Sequence, residues 1–149
     1  MAIVTDFGCD VQTYTDEFDR LCFPRPKVCL HCQAVDAFIG HGYYPRKPLD
    51  QQQAYSIRVK RWLCKACRRT VSLLPSFLLR FRHYLLTVTQ QVVVVRFEDD
   101  ASWKQVLQRC TWLDAPSERT VKRWCQSFAV HAPSWLAAVQ QTLSLHDAT

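Results

Sequence analysis

Apolar and polar side chains alternate from Ala54 to Leu63, where Tyr55, Ile57, Val59 and Trp62 are set among Arg58, Lys60 and Arg61. A period of two predicts a β-strand with one face buried. Upstream, Ala37-Phe38-Ile39-Gly40-His41-Gly42-Tyr43-Tyr44 is aromatic and punctuated by glycine, as a second strand would be, and Thr70 to Leu74 is a third, ended by Pro75. From Ser76 the period lengthens. Phe81, Leu85, Val88, Val92 and Val95 recur at spacings of three and four, with no turn residue between Arg80 and Glu98, which predicts one long helix. The β-branched run Val92 to Val95 favours a strand by propensity, but the stretch is too long and unpunctuated for one. Ser102 is placed to cap a helix through Cys110 with Val106 and Leu107 inward, and a loop from Thr111 to Pro116 follows. Ser117 is placed to cap the next helix, whose Val121, Trp124, Cys125 and Phe128 form an apolar stripe. Pro133 is suited to a first helical turn and predicts a last helix through about Leu145, with Leu136, Val139, Gln140 and Leu143 in period. The expected fold class is α+β: an acidic segment over residues 1–24, a small three-stranded ribbon over 25–75, and a helix-turn-helix domain with a C-terminal helix over 76–149.

The ribbon carries the chain's clearest chemical signal. Cys29-Leu30-His31-Cys32 and Cys64-Lys65-Ala66-Cys67 are two Cys-x-x-Cys pairs separated by the single stretch from Gln33 to Leu63. Two such turns brought face to face by a hairpin offer four thiolates to one Zn²⁺, a d¹⁰ ion that takes four soft ligands at about 2.3 Å. A site closed by four thiolates stabilises a fold and does no chemistry, so one structural zinc ion on Cys29, Cys32, Cys64 and Cys67 is expected. The alternative for these residues is a pair of disulfides or unconnected thiols. Cys22 and His31 are the only spare ligands near the pairs, whereas Cys110 and Cys125 fall in helical patterns, where a buried Cys acts as a small hydrophobe. No leader pattern and no run of about 18 apolar residues occurs, which points to a reduced, cytoplasmic protein with no membrane association.

Charge is unevenly spread. The net charge of +6 conceals an acidic start, where Asp6, Asp10, Asp16, Glu17 and Asp19 face Arg20 alone. Between Arg58 and Arg82 stand Arg58, Lys60, Arg61, Lys65, Arg68, Arg69, Arg80 and Arg82, with no acidic residue among them. Such a run is the footprint of a surface that neutralises phosphates, although part of it also offsets the formal −2 of a tetrathiolate zinc site. Arg58, Lys60, Arg61, Arg68 and Arg69 are the candidate phosphate contacts of the ribbon. In the helix after Ser117 the face opposite the apolar stripe holds Glu118, Arg119, Lys122, Arg123 and Gln126. A capped third helix behind a short second one is the layout of a helix-turn-helix reader, whose recognition helix enters the major groove by its N-terminus. Arg119 and Arg123 suit guanine, Gln126 adenine and Glu118 cytosine, each bidentate contact contributing about 1–3 kcal/mol of discrimination. Ser117, Thr120 and Lys122 are placed for phosphate. The alternative is an ordinary amphipathic surface helix.

These residues carry a resemblance. The first Cys-x-x-Cys with its glycine-bearing strand, followed by Arg58-Val59-Lys60-Arg61-Trp62-Leu63-Cys64-Lys65-Ala66-Cys67-Arg68-Arg69-Thr70-Val71, resembles the N-terminal zinc ribbon of bacterial insertion-sequence transposases. Ser117-Glu118-Arg119-Thr120-Val121-Lys122-Arg123-Trp124 is similar to the recognition helix of the same transposases. Small bacterial proteins found near mobile elements keep only these two modules, and the chain resembles them as well. The resemblance spans residues 29 to about 128 and implies specific binding to double-stranded DNA, at element ends or a promoter, with zinc in the ribbon. One departure is the turn Thr111 to Pro116, which is longer than the usual tight turn and has no glycine.

A transposase catalytic domain needs an RNase-H-like fold that brings three carboxylates onto two metal ions, and 149 residues leave no room for one. Glu98, Asp99 and Asp100 sit together at a helix end, where they would terminate it in solvent. The expectation is a non-enzyme, an accessory or regulatory subunit that acts with a separate catalytic transposase or recombinase; a tandem or inverted DNA site would imply a homodimer. The competing readings are an adaptor whose ribbon binds protein or RNA, and a transcriptional regulator unrelated to mobile elements.

Overall fold

The computed structural model describes residues 1–112 and 114–147, so Leu113 of the expected 111–116 loop lies outside the described residues. The chain divides into two compact units, Met1–Thr87 and Val88–Thr149. It is α+β, as its patterning predicts. No helix of the described residues is long and apolar enough to cross a membrane.

The first unit is built on a sheet of four strands, one more than the ribbon expected. β2 (Phe38–Arg46), β3 (Ile57–Cys64) and β4 (Thr70–Pro75) are the three predicted strands, and β3 runs antiparallel to both of the others. The fourth, β1 (Ala2–Thr5), pairs parallel with β4, giving the order β1-β4-β3-β2. The segment Ala2-Ile3-Val4-Thr5 is too short for a period to stand out beside an acidic run. The register of β2 on β3 slips between Gly40 and Tyr43. Here His41 and Gly42 interrupt the ladder, and Gly42, at φ 67°, takes the left-handed conformation that such a bulge favours.

The acidic segment is therefore part of the first unit's core. Asp10 caps α1 (Val11–Asp16) by accepting from the Thr13 backbone N–H at 2.8 Å, and its hydrogen bonds to Thr13 hold its carboxyl below the usual range. α1 buries Tyr14, which is 0% exposed, and a 3₁₀ turn over Phe18–Arg20 follows. Phe7, Phe18 and Phe77 meet the Tyr14 ring edge-on at 5.3–5.6 Å. Its hydroxyl donates to the carbonyl of Arg58 on β3 at 2.9 Å. The aromatics Phe7, Tyr14, Phe18 and Phe23, set close together among the acidic residues, are the sequence signal of this packing.

The second unit is helical. α2 (Leu86–Phe97) buries Val88, Val92 and Val93, so tertiary packing overrides the strand propensity of the valine run. It begins at Leu86, later than the expected Arg80, because Leu78 and Leu85 pair as a β-bridge and residues 79–84 turn between them. α3 (Trp103–Gln108) starts with the predicted cap: Ser102 Oγ accepts from the Gln105 N–H while the Gln105 side chain accepts from the Ser102 N–H. Asp99 and Asp100 pair with Arg109 and Arg96 at 2.6 and 3.6 Å. α4 (Glu118–Asp147) corrects another expectation, since it is one helix of 30 residues that runs through Pro133. Proline removes the hydrogen bond to the carbonyl of Ala129, yet its φ is helical, and the helix continues without the second start. Val121, Trp124 and Cys125 are buried as the stripe predicts, whereas Val130, Trp135, Leu136, Val139 and Leu143 are each more than half exposed.

Candidate functional site

The two Cys-x-x-Cys turns are built alike. In the first, the Gln33 N–H donates to the Cys29 carbonyl at 2.8 Å and the Cys29 N–H to the Ala34 carbonyl at 2.9 Å. In the second, the Arg68 N–H donates to the Cys64 carbonyl and the Cys64 N–H to the Arg69 carbonyl, both at 2.9 Å. The fourth residue after the leading cysteine has positive φ in each, Gln33 at 61° and Arg68 at 60°. Equal cysteine spacing thus goes with equal knuckle geometry. The Lys65 N–H donates to the Ala37 carbonyl at 2.8 Å, tying the second knuckle to the chain just ahead of β2.

The knuckles face each other, and the four sulfurs lie within 4.8 Å of one another. Cys29 Sγ is 3.8 Å from Cys67 Sγ, and Cys32 Sγ is 3.7 Å from Cys64 Sγ. Sulfurs at about 2.3 Å from a common centre in a tetrahedron are separated by about 3.8 Å, so the donor set fits a tetrathiolate metal. A disulfide needs sulfurs at about 2.05 Å, and all four cysteines are free thiols. Phe38 and Val71 pack with the buried Cys29 and Cys64 and close the inner side to water. Backbone N–H groups of Cys32 and His31 aim at Cys29 and lower its thiol below the usual range, a thiolate-stabilising arrangement. Cys22 and His31 lie outside this cluster. The Arg69 guanidinium meets His31 Nδ1 at 3.1 Å instead, so among the described residues the ligand set is the four cysteines.

The basic candidates of the sheet do not share one face. Strand alternation directs Arg58 and Lys60 to the face opposite Arg61. Arg58 is paired with Asp19 at 3.2 Å and lies 3.9 Å over the Phe18 ring, held by the acidic segment. Lys60 Nζ lies over the Tyr43 and Trp62 rings at 4.5 and 4.9 Å, and Arg61 is 5.7 Å from the Tyr44 ring. Arg68 and Arg69 are exposed on the second knuckle beside Met1, His31 and Thr70.

In the second unit, Glu118, Arg119, Lys122, Arg123 and Gln126 line one shallow cleft on the first turns of α4. Ser117 Oγ accepts from the Thr120 N–H at 3.3 Å and shares a hydrogen bond with Thr120 Oγ1 at 3.0 Å. Both hydroxyls therefore take part in the helix start, and one of the two protons is left to donate elsewhere. Lys122 is paired with Glu118 at 2.6 Å, which leaves Arg119, Arg123 and Gln126 as the polar side chains of the face that such a pair does not engage.

Compared with known proteins, residues 29–124 match the sequence model of a family described as a domain of unknown function, DUF6431. The match begins at the first of the four clustered cysteines and ends within the capped start of α4, so it takes in both knuckles and most of the cleft. No curated protein matches the chain, and no solved structure does.

Proposed function

The chain belongs to the DUF6431 family, and from that premise we propose that it is a zinc-containing, sequence-specific double-stranded DNA-binding protein. The observation that carries the reading is the start of α4. A serine-capped helix buries Val121, Trp124 and Cys125 and turns Arg119, Arg123 and Gln126 outward along one cleft, the side chains and helix end that read base edges in a major groove. α3 and α4 would form the helix-turn-helix pair. The metal is zinc, held by Cys29, Cys32, Cys64 and Cys67, because four thiolates at tetrahedral separation are its preferred donors. The ion would cross-link the two knuckles and take no part in a reaction.

The resemblance to insertion-sequence transposases supports a role as an accessory or regulatory subunit beside a separate catalytic transposase or recombinase, in the cytoplasm at the nucleoid. Self-association fits the apolar row Leu136, Val139 and Leu143, because no Lys, Arg, Asp or Glu stands between Arg123 and Asp147 to repel a second copy. The same row supports the second reading, an adaptor that binds protein. Selection from a randomised duplex library tests the proposal. Retention should be sequence-preferring and weaken steeply with salt, and Arg119→Ala with Arg123→Ala should remove the preference. Retention that is absent, or indifferent to both substitutions, sinks it.

A further inference from the structure

Residues 79–82 form a tight turn in the first unit that neither the knuckles nor the sheet explains. The Arg82 N–H donates to the Leu79 carbonyl at 3.2 Å, and the third residue, Phe81, has φ 59°. That position ordinarily takes glycine or asparagine, because a bulky L-residue is strained there. The turn is nonetheless held from several sides. Leu78 pairs with Leu85, the Leu86 N–H donates to the Phe77 carbonyl at 2.9 Å, and the Leu49 N–H to the His83 carbonyl at 2.7 Å. The Arg46 guanidinium, at the end of β2, donates to the carbonyls of both Leu79 and Arg82. Strain that is over-determined by its surroundings concentrates at functional positions.

What this scaffold presents is a phenyl ring in water. Phe81 is 83% exposed, with the Arg80 guanidinium 4.5 Å from its ring centre. Arg80 and Arg82 flank it, and Arg46 and Lys47 belong to the strand end that clamps it. No acidic residue occurs between Asp50 and Glu98, and Asp50 itself is occupied by the Tyr55 hydroxyl and the N–H groups of Gln52 and Gln53. An exposed apolar anchor for a protein partner has no need of such a cationic collar. A planar exposed ring with one guanidinium against it and a second arginine next in sequence suits a nucleobase step, where the ring stacks on bases and the cations meet phosphates.

We infer that the Arg80-Phe81-Arg82 turn is a base-stacking wedge, entering a base step of bound DNA. This rests on the DNA-binding reading above and adds a contact distinct from the α4 cleft. Phe81→Gly is the informative variant, because it removes the ring and relieves the positive φ together. It should melt at a higher temperature than the wild type yet bind a mixed-sequence duplex at least about ten-fold more weakly. The dependence of affinity on salt should stay unchanged, since no phosphate contact is lost, and Phe81→Trp should restore binding. By contrast, Arg80→Ala with Arg82→Ala should flatten that dependence. End-to-end energy transfer across the duplex reports whether a step is kinked. Loss of the bend in Phe81→Gly supports the ring in a duplex step, whereas a ten-fold loss confined to single strands overturns the duplex wedge and moves the ring to unpaired bases. A Phe81→Gly protein that binds both strands and duplex as the wild type does overturns the wedge alone. A wild-type protein that binds neither overturns the DNA reading and the wedge with it.

Discussion

The two units solve the problem of small size differently. The first, Met1–Thr87, surrounds its sheet with an aromatic cluster and a set of four thiolates. The second, Val88–Thr149, has no metal-ligand cluster among its described residues and leaves the later turns of α4 with an exposed apolar row. Small domains bury too little surface to be secure on core packing alone, and a metal or an association commonly makes up the difference. On the proposed reading, the stability of one unit is tied to the four-cysteine site, whereas that of the other rests on helix caps, packing and whatever covers α4.

Metal removal should separate them most sharply. Chelation, or Cys64→Ser, should unfold the first unit, since structural zinc contributes on the order of 10 kcal/mol of folding free energy, while the helical circular dichroism of the second persists. Acidification should act in the same direction, because metal binding requires four thiolates and protons compete for them as pH falls. Loss of both units in one transition would break the contrast. A smaller effect should follow from Tyr14→Ala, about 3–5 kcal/mol by loss of a fully buried aromatic, measured by denaturant unfolding of the zinc-loaded protein. If the acidic segment were a solvated tail, that substitution would change nothing. The smallest effect belongs to the second unit. Ser102→Ala should destabilise it by about 1 kcal/mol through loss of the capping box, and leave zinc content and the melting of the first unit as they were.

How much of this is legible in the sequence depends on how local the cause is. The knuckles follow from the short spacing between paired cysteines, β3 from strict alternation, and the starts of α3 and α4 from Ser102 and Ser117, all causes that act within a few positions. β1 depends on a partner far along the chain, Ala2 against Ser72, and so short a segment carries no period. The late start of α2 depends on Arg46 and Leu49 holding the segment before it. Pro133 misleads because proline both opens and interrupts helices, and only the rest of α4 decides between them. At the candidate site the cysteine ligands are legible outright. The engagement of the basic residues of the sheet is not, because Asp19, Phe18 and Tyr43, which meet Arg58 and Lys60, are distant from them in sequence.

The parallel pairing of β1 with β4 has a consequence for biosynthesis. On a ribosome that adds about 5–20 residues per second, the first strand emerges seconds before its only strand partner, which follows directly on the second knuckle. Such long-range pairing closes slowly and late. β1 is therefore seated only after both halves of the thiolate site exist, so the sheet is completed on a chain that already carries all four clustered cysteines.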